Sequence, residues 1–172
     1  MILSGSKIKE ELGKAIIITP FDMDKLNSNS YNLTLDKKLL VYDNNILDMK
    51  KDNPISEIII PDEGFILYPN QLYLGSTVEK TYTYKYIPIL EGRSSVARLG
   101  LFIHITAGLG EAGFDGNWTL ELNCIKPLKI YPNIEICQIY FNEILGNIDL
   151  CNSKKYQKSN CAMSSKMYME FK

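Results

Sequence analysis

Beyond residue 13 the chain loses helical periodicity and becomes a succession of short runs of β-branched and aromatic residues, which narrows the folds open to it more than any other feature. The runs cover residues 15–19, 31–42, 57–60, 65–68, 71–78, 82–90, 101–106, 117–124, 128–131 and 135–144. Between them stand Pro61-Asp62, Glu63-Gly64, Pro69-Asn70, Phe114-Asp115-Gly116 and Pro132-Asn133. Each supplies turn chemistry: glycine takes positive φ, proline presets φ, and Asn or Asp bonds its own backbone. Short strands at this spacing predict a mostly β fold, a sandwich, jelly roll or distorted barrel. One short helix precedes them over residues 4–13, where Ile8 and Leu12 share a face, Ser4 or Ser6 serves as cap and Gly13 closes it. A second, of one or two turns, is predicted inside Gly92-Arg93-Ser94-Ser95-Val96-Ala97-Arg98-Leu99-Gly100, capped by Ser94 or Ser95 and ended by Gly100. Its first-turn amides point outward, a geometry that attracts phosphate.

The 172 residues are 45% hydrophobic and 23% charged, enough for a real core, and no linker divides them, so residues 1–172 read as one domain. Residues 151–172, rich in Lys, Ser and Asn, read as a mobile or partner-docked tail. The net charge of −1 and the absence of any basic run longer than two lysines argue against nucleic acid or an anionic membrane as partner. With neither a signal peptide nor an apolar run of spanning length, the expected location is the cytoplasm. Cys124, Cys137, Cys151 and Cys161 form no Cys-x-x-Cys pair and His104 is the single histidine, so structural zinc is not expected and free thiols are.

Of the 19 basic residues only Arg93 and Arg98 are arginine. A chain that uses lysine for generic positive charge keeps arginine where a planar fork or a permanent cation is needed, although two chance surface residues would look the same. Arg93, Ser94 and Ser95 together offer a guanidinium, two hydroxyls and backbone amides to polyphosphate oxygens. Strand 117–124 alternates strictly, Trp118, Leu120 and Leu122 to one face and Thr119, Glu121 and Asn123 to the other. Glu121 is then either an ordinary surface acid or a proton carrier in a pocket, and the second role near neutral pH requires burial to raise its pKa. His104, alone on an apolar strand, reads as a core histidine, and Tyr82, Tyr84 and Tyr86 as sheet packing.

The run Glu91 to Leu101, then His104-Ile105-Thr106-Ala107-Gly108, Ala112-Gly113-Phe114-Asp115-Gly116 and Thr119-Leu120-Glu121-Leu122 closely resemble motifs of the dCTP deaminase family, relatives of the trimeric dUTP pyrophosphatases. The opening Met1-Ile2-Leu3-Ser4-Gly5-Ser6-Lys7-Ile8, Ser30-Tyr31-Asn32-Leu33-Thr34-Leu35, Tyr68 to Thr77, Ile136-Cys137-Gln138 and Lys155-Tyr156-Gln157 extend the match in order over most of the chain. The resemblance implies a homotrimer of distorted jelly-roll, dUTPase-like subunits with interfacial sites that bind dCTP or dUTP with Mg²⁺ carried on the triphosphate. It assigns Arg93, Ser94, Ser95, Gln138 and Lys155 to the phosphates, Val96, Ala97, Thr119, Leu120 and Ser159 to the remaining substrate contacts, and Glu111 to the deoxyribose 3′-hydroxyl. Glu121 matches the catalytic glutamate, and Ser94, Arg98 and the Ala107 carbonyl would hold the attacking water. Residues 151–172 would close over the nucleotide, and dTTP is the expected inhibitor.

No zinc-deaminase signature is present, because His104 is followed by Ile105 and Thr106 and no Pro-Cys-x-x-Cys occurs. The expected reaction is dCTP to dUTP and ammonia. A bifunctional enzyme continuing to dUMP and pyrophosphate is the alternative: Gly108 points towards it, while Glu111 in place of the family's usual Asp and Leu109 in place of its aromatic point away. A nucleotide-sensing trimer without turnover is the third reading, and the intact Ser94, Arg98 and Glu121 argue against it.

Overall fold

The computed structural model describes residues 1–104, 106–153 and 155–171. Helix α1 (Gly5–Glu11) begins at Ser4, whose hydroxyl accepts from Lys7 N at 3.2 Å, so Ser4 is the cap. The strands are β1 (Ile16–Thr19), β2 (Tyr31–Thr34), β3 (Lys38–Tyr42), β4 (Ile55–Ile59), β5 (Phe65–Leu67), β6 (Tyr73–Thr83), β7 (Tyr86–Gly92), β8 (Leu101–Ile103), β9 (Asp115–Cys124), β10 (Leu128–Ile130) and β11 (Glu135–Glu143). Between β7 and β8 lies the short helix α2 (Ser94–Ala97).

The largest sheet has the order β4-β3-β6-β9-β8, with β1 also on β6; β2-β11-β7 form a second sheet and β10-β5 a pair. All of these pairings are antiparallel. The sheets close on a core that includes Leu33, Leu35, Leu120, Leu122, Ile136, Ile139 and Phe141. This is a mostly β, jelly-roll arrangement, one of the three that the spacing of runs leaves open and the one that the resemblance implies.

Three boundaries differ from the sequence reading, each for a local reason. The run 31–42 is two strands, because the Asp36 carboxylate accepts from Lys37 N at 2.8 Å and turns the chain between β2 and β3. The break expected after residue 78 falls at Tyr84-Lys85, where Thr83 Oγ1 accepts from Lys85 N and Tyr86 N at 3.3 Å each. Strand β6 continues through Glu79, with a register shift against β9 between Ser76 and Lys80, and the fully buried Glu79 carboxylate accepts from Thr34 N (2.7 Å), Thr34 Oγ1 (2.8 Å) and Lys25 Nζ (2.7 Å). In α2 the cap position is Arg93, without a side-chain cap bond, and Ser94 and Ser95 stand in the first turn, correcting the expected serine cap. Gly100, at φ +80°, ends the turn after it as expected. The expected strand 101–106 stops at Ile103; Ile105 lies outside the described residues.

The tail lies against its own chain. Cys151 N donates to Ala112 O and Lys158 N to Asp115 O, both at 2.6 Å, and Asn117 N donates to Ser159 O at 3.0 Å. Ala162 completes a small apolar cluster with Leu40 and Leu74. All four cysteines are free, Cys124 and Cys137 buried, and burial pushes the Cys137 thiol well above its ordinary pKa. Among the described residues no helix is long and apolar enough to cross a membrane.

Candidate active site

Alternation along β9 decides which side chains face the cavity. Leu120 and Leu122 are fully buried in the core, while Asn117, Thr119 and Glu121 project from the other face into a cavity of about 500 Å³. Antiparallel pairing of β9 with β6 sets Glu121 opposite Leu74, which with Leu72 and Tyr42 forms one wall. Phe114 and Trp118 line another part, their ring centroids 4.4 Å apart, and the Trp118 indole N–H donates to Thr81 Oγ1 at 2.8 Å.

The loop after β8 supplies Ala107, Leu109, Gly110 and Glu111. It is tied to β7, since Leu90 N donates to Gly108 O and Gly110 N to Pro88 O, both at 2.8 Å. The approach is too close for a side chain: a Cβ on Gly108 would stand 2.6 Å from Leu90 O, and one on Gly110 only 2.3 Å from the Trp118 ring. Gly108 therefore has a packing reason of its own, independent of any product preference.

Glu121 Oε2 lies 2.5 Å from His104 Nδ1. The contact lacks hydrogen-bond geometry, Nδ1 is otherwise buried without a partner, and the two groups form an ion pair only when the imidazole is protonated. His104 N also donates to Glu121 O at 3.1 Å, at a positive φ of 55°. His104 is thus a wall of the cavity and not the satisfied core histidine that its apolar neighbours suggest.

Residues of the tail form the outer rim. Gln157 accepts from Asp115 N (2.9 Å) and donates to Gly113 O (3.1 Å), Ser159 Oγ donates to Asn117 O (2.6 Å), and Thr119 Oγ1 accepts from Met163 N (3.1 Å). Tyr156, Gln157, Ser159 and Met163 all line the cavity.

Among the described residues, the carboxylates in the cavity are those of Glu111 and Glu121, and the lining contains neither lysine nor arginine. Such a space suits a neutral base and sugar and repels a triphosphate. The cationic group lies elsewhere. Pairing of β7 with β11 sets Gln138 opposite Glu91, and Gln138 Nε2 donates to Gly92 O at 3.3 Å. Beside it Arg93 donates to Glu135 O (2.7 Å) and pairs with its carboxylate (3.1 Å). On α2, Ser94, Ser95 and Ala97 are exposed and Val96 packs on the core; Arg98, which follows, is exposed. A second hollow, of about 440 Å³, runs between Gly92 and Ala97 on one side and His104, Thr106 and Gly108 on the other.

One chain therefore gathers Glu121, Thr119, Ala107, Glu111 and Ser159 in one cavity, and Arg93 and Gln138 at a separate place. Ser94, Arg98 and Lys155 do not line the Glu121 cavity, and Lys155 is ion-paired with Glu170. The Leu120 side chain faces the core, so only its backbone is offered to a ligand. Sequence reasoning missed Asn117, which the β9 alternation does place beside Thr119 and Glu121, and Tyr42, Leu72 and Met163, which reach the cavity only by strand pairing and tail docking and carry no local signal.

This is a jelly-roll fold. The crystal structure of 2′-deoxycytidine 5′-triphosphate deaminase from Agrobacterium tumefaciens superposes with a TM-score of 0.66 and 18% identity, over 83% of this chain and 48% of that one, a likeness of fold. The model of the dCTP deaminase-like family matches residues 2–144. Proteins named "dCTP deaminase, dUMP-forming" are 57% identical in Clostridium beijerinckii and 53% in Cytophaga hutchinsonii, each over 171 residues and 99% of both chains. The chain belongs to the dCTP deaminase-like family.

Proposed function

We propose that this protein is a hydrolase that deaminates dCTP. The observation that carries the reading is Glu121, set by β9 in a mostly apolar cavity of base-and-sugar size, in a chain 57% identical end to end to a protein named for that activity. Glu121 takes a proton from water as the water oxygen adds to C4 of cytosine, and passes it to N3. The carboxylate then removes the proton of the new C4 hydroxyl and delivers it to the exocyclic nitrogen as the C4–N bond breaks, the C4 carbonyl forms and ammonia leaves. The Ala107 carbonyl, Ser94 and Arg98 orient that water, and Arg98 supplies a permanent positive charge facing Glu121.

Ser94 and Arg98 stand outside the cavity of their own chain, so an adjoining copy brings them, together with Arg93, Ser95, Val96, Ala97 and Gln138, to complete the site in a homotrimer. Thr119 and the Leu120 backbone meet the base and Glu111 the 3′-hydroxyl. The tail closes over the nucleotide, Ser159 on its inner side and Lys155 exchanging Glu170 for phosphate. Mg²⁺ would be held by triphosphate oxygens and water. Bound in that way, Mg²⁺ neutralises and shapes the triphosphate. The triphosphate groups also accommodate dTTP as a competing ligand, and cytoplasmic location suits a deoxynucleotide enzyme.

A second reading, in which dUTP is hydrolysed onward to dUMP and pyrophosphate, is favoured by the name shared by the similar proteins. Incubation of the protein with Mg²⁺ and dCTP, and separately with dUTP, tests both. Uracil nucleotide and ammonia from dCTP are expected, with dUMP accumulating if the second step operates. Binding without product would overturn the enzyme reading in favour of a sensor.

A further inference from the structure

Behind Arg93 runs a chain of polar groups that the reaction above leaves unused. The guanidinium is held twice by Glu135, through Nη1 to the backbone oxygen (2.7 Å) and Nη2 to Oε2 (3.1 Å). The same Oε2 accepts from Asn32 Nδ2 at 2.7 Å, and Asn32 Oδ1 accepts from Asn27 Nδ2 at 2.8 Å. Asn27 donates as well to Ser30 Oγ (3.1 Å), and Ser30 Oγ donates to Gln138 Oε1 (2.7 Å). Gln138 Nε2 returns to Gly92 O, the residue before Arg93. The bonds thus form a circuit, with Asn32 and Ser30 buried in the protein and Arg93 and Gln138 at its outer edge.

An exposed arginine samples many rotamers, and its fork matches an anion only when its plane is fixed. Glu135 fixes it with two acceptors from one residue and consumes two of the five guanidinium N–H donors, leaving three for a ligand. Asn32 in turn stops the carboxylate from swinging away. We propose that Glu135 is a positioning residue of the anion site: it sets the plane of Arg93 and, through Asn32, Asn27 and Ser30, couples it to Gln138, so that both meet a nucleotide polyphosphate as one preformed unit. The proposal rests on the assignment of Arg93 to the triphosphate.

The test uses Glu135→Ala, Glu135→Asp and Glu135→Gln in the full-length protein. Ala removes the side-chain acceptor, and Asp keeps the charge but withdraws it by one methylene. Both are expected to raise KM for dCTP about tenfold with kcat within about twofold, and to weaken competition by inorganic tripolyphosphate by the same factor. Competition by deoxycytidine, which has no phosphate, stays unchanged. Gln keeps an acceptor oxygen at the same reach and is expected within about threefold of the native protein. In an Arg93→Ala background, Glu135→Ala adds less than about twofold, because its effect passes through Arg93. An unchanged KM in the Ala variant, an equal loss for deoxycytidine, a Gln variant as poor as Ala, or an undiminished loss without Arg93 would each overturn the proposal. If Arg93→Ala itself leaves tripolyphosphate and dCTP affinity intact, the triphosphate assignment fails and the proposal with it; a weakened Arg93→Ala beside a neutral Glu135→Ala defeats the proposal alone.

Discussion

The proposed chemistry rests on two residues that one chain keeps apart: Glu121 in the β9 cavity and Arg98 in the exposed turn after α2. Glu121→Gln preserves shape and hydrogen bonding but cannot accept the proton of water. Its dCTP turnover is expected to fall by about 10³-fold or more, with nucleotide affinity, followed by Trp118 fluorescence, little changed. Retained turnover would remove Glu121 from the mechanism. Arg98→Lys keeps the net charge and gives up the planar, permanently charged fork; steady-state assay should show a loss of about 10²-fold, and near-normal turnover would mean that a point charge suffices. At this scale the sequence was legible for Glu121, whose face follows from period-two alternation. It was not legible for His104, because the position of Nδ1 beside Glu121 depends on a left-handed backbone that no neighbouring residue announces.

Elements bring these residues together through glycine. Gly110 lets the loop pass between Pro88 and the Trp118 ring, so Gly110→Ala must push the indole or the loop away and should destabilise the fold by about 2 kcal/mol, measured by urea unfolding. Gly116 works on the other side of the cavity: a Cβ there would stand 2.7 Å from Ser159 Oγ and 3.0 Å from Ser159 N. Gly116→Ala is expected to undock residues 151–171, seen as new protease cleavage in the tail while the body stays resistant; an unchanged digestion pattern would show that the tail adjusts in place. Such contacts carry no local signal, so the sequence reads the tail only as mobile or partner-docked. Its Lys, Ser and Asn composition describes a solvated segment, and its partners, Asp115, Asn117 and Thr119, lie about 40 residues upstream.

The whole molecule sets the stability and the completeness of the site. Glu79 is fully buried on β6 and holds Lys25 from the turn before β2, as well as Thr34. Burial opposes the charge on Lys25, but the bond and the attraction to Glu79 outweigh it and raise its pKa above the ordinary 10.5. A raised lysine contributes stability that is full below 10.5 and is lost as pH climbs through the higher folded value. Glu79→Gln should cost about 2 kcal/mol near neutrality, and unfolding titrations should show the gap from the native protein narrowing in strong alkali. The division of site residues makes a separate test possible. If adjoining copies share each site, Glu121→Gln and Arg93→Ala proteins, each poorly active alone, should regain roughly a quarter of native activity when mixed and reassembled at random. No recovery would place both groups within one chain's site.

The sequence by itself determined the strand pattern, the outward face of β9 and the residue types that the chemistry needs, because all of these are local: alternation, turn residues and an unusual economy of arginine are written in neighbouring positions. Only the tertiary structure decided where strands break, that the tail packs on its own β9, that Glu111 and Glu121 share one cavity, and that Arg93 is anchored by Glu135. Those depend on groups distant in sequence meeting at hydrogen-bonding distance, and the free energy of such contacts belongs to the pair and not to either residue alone.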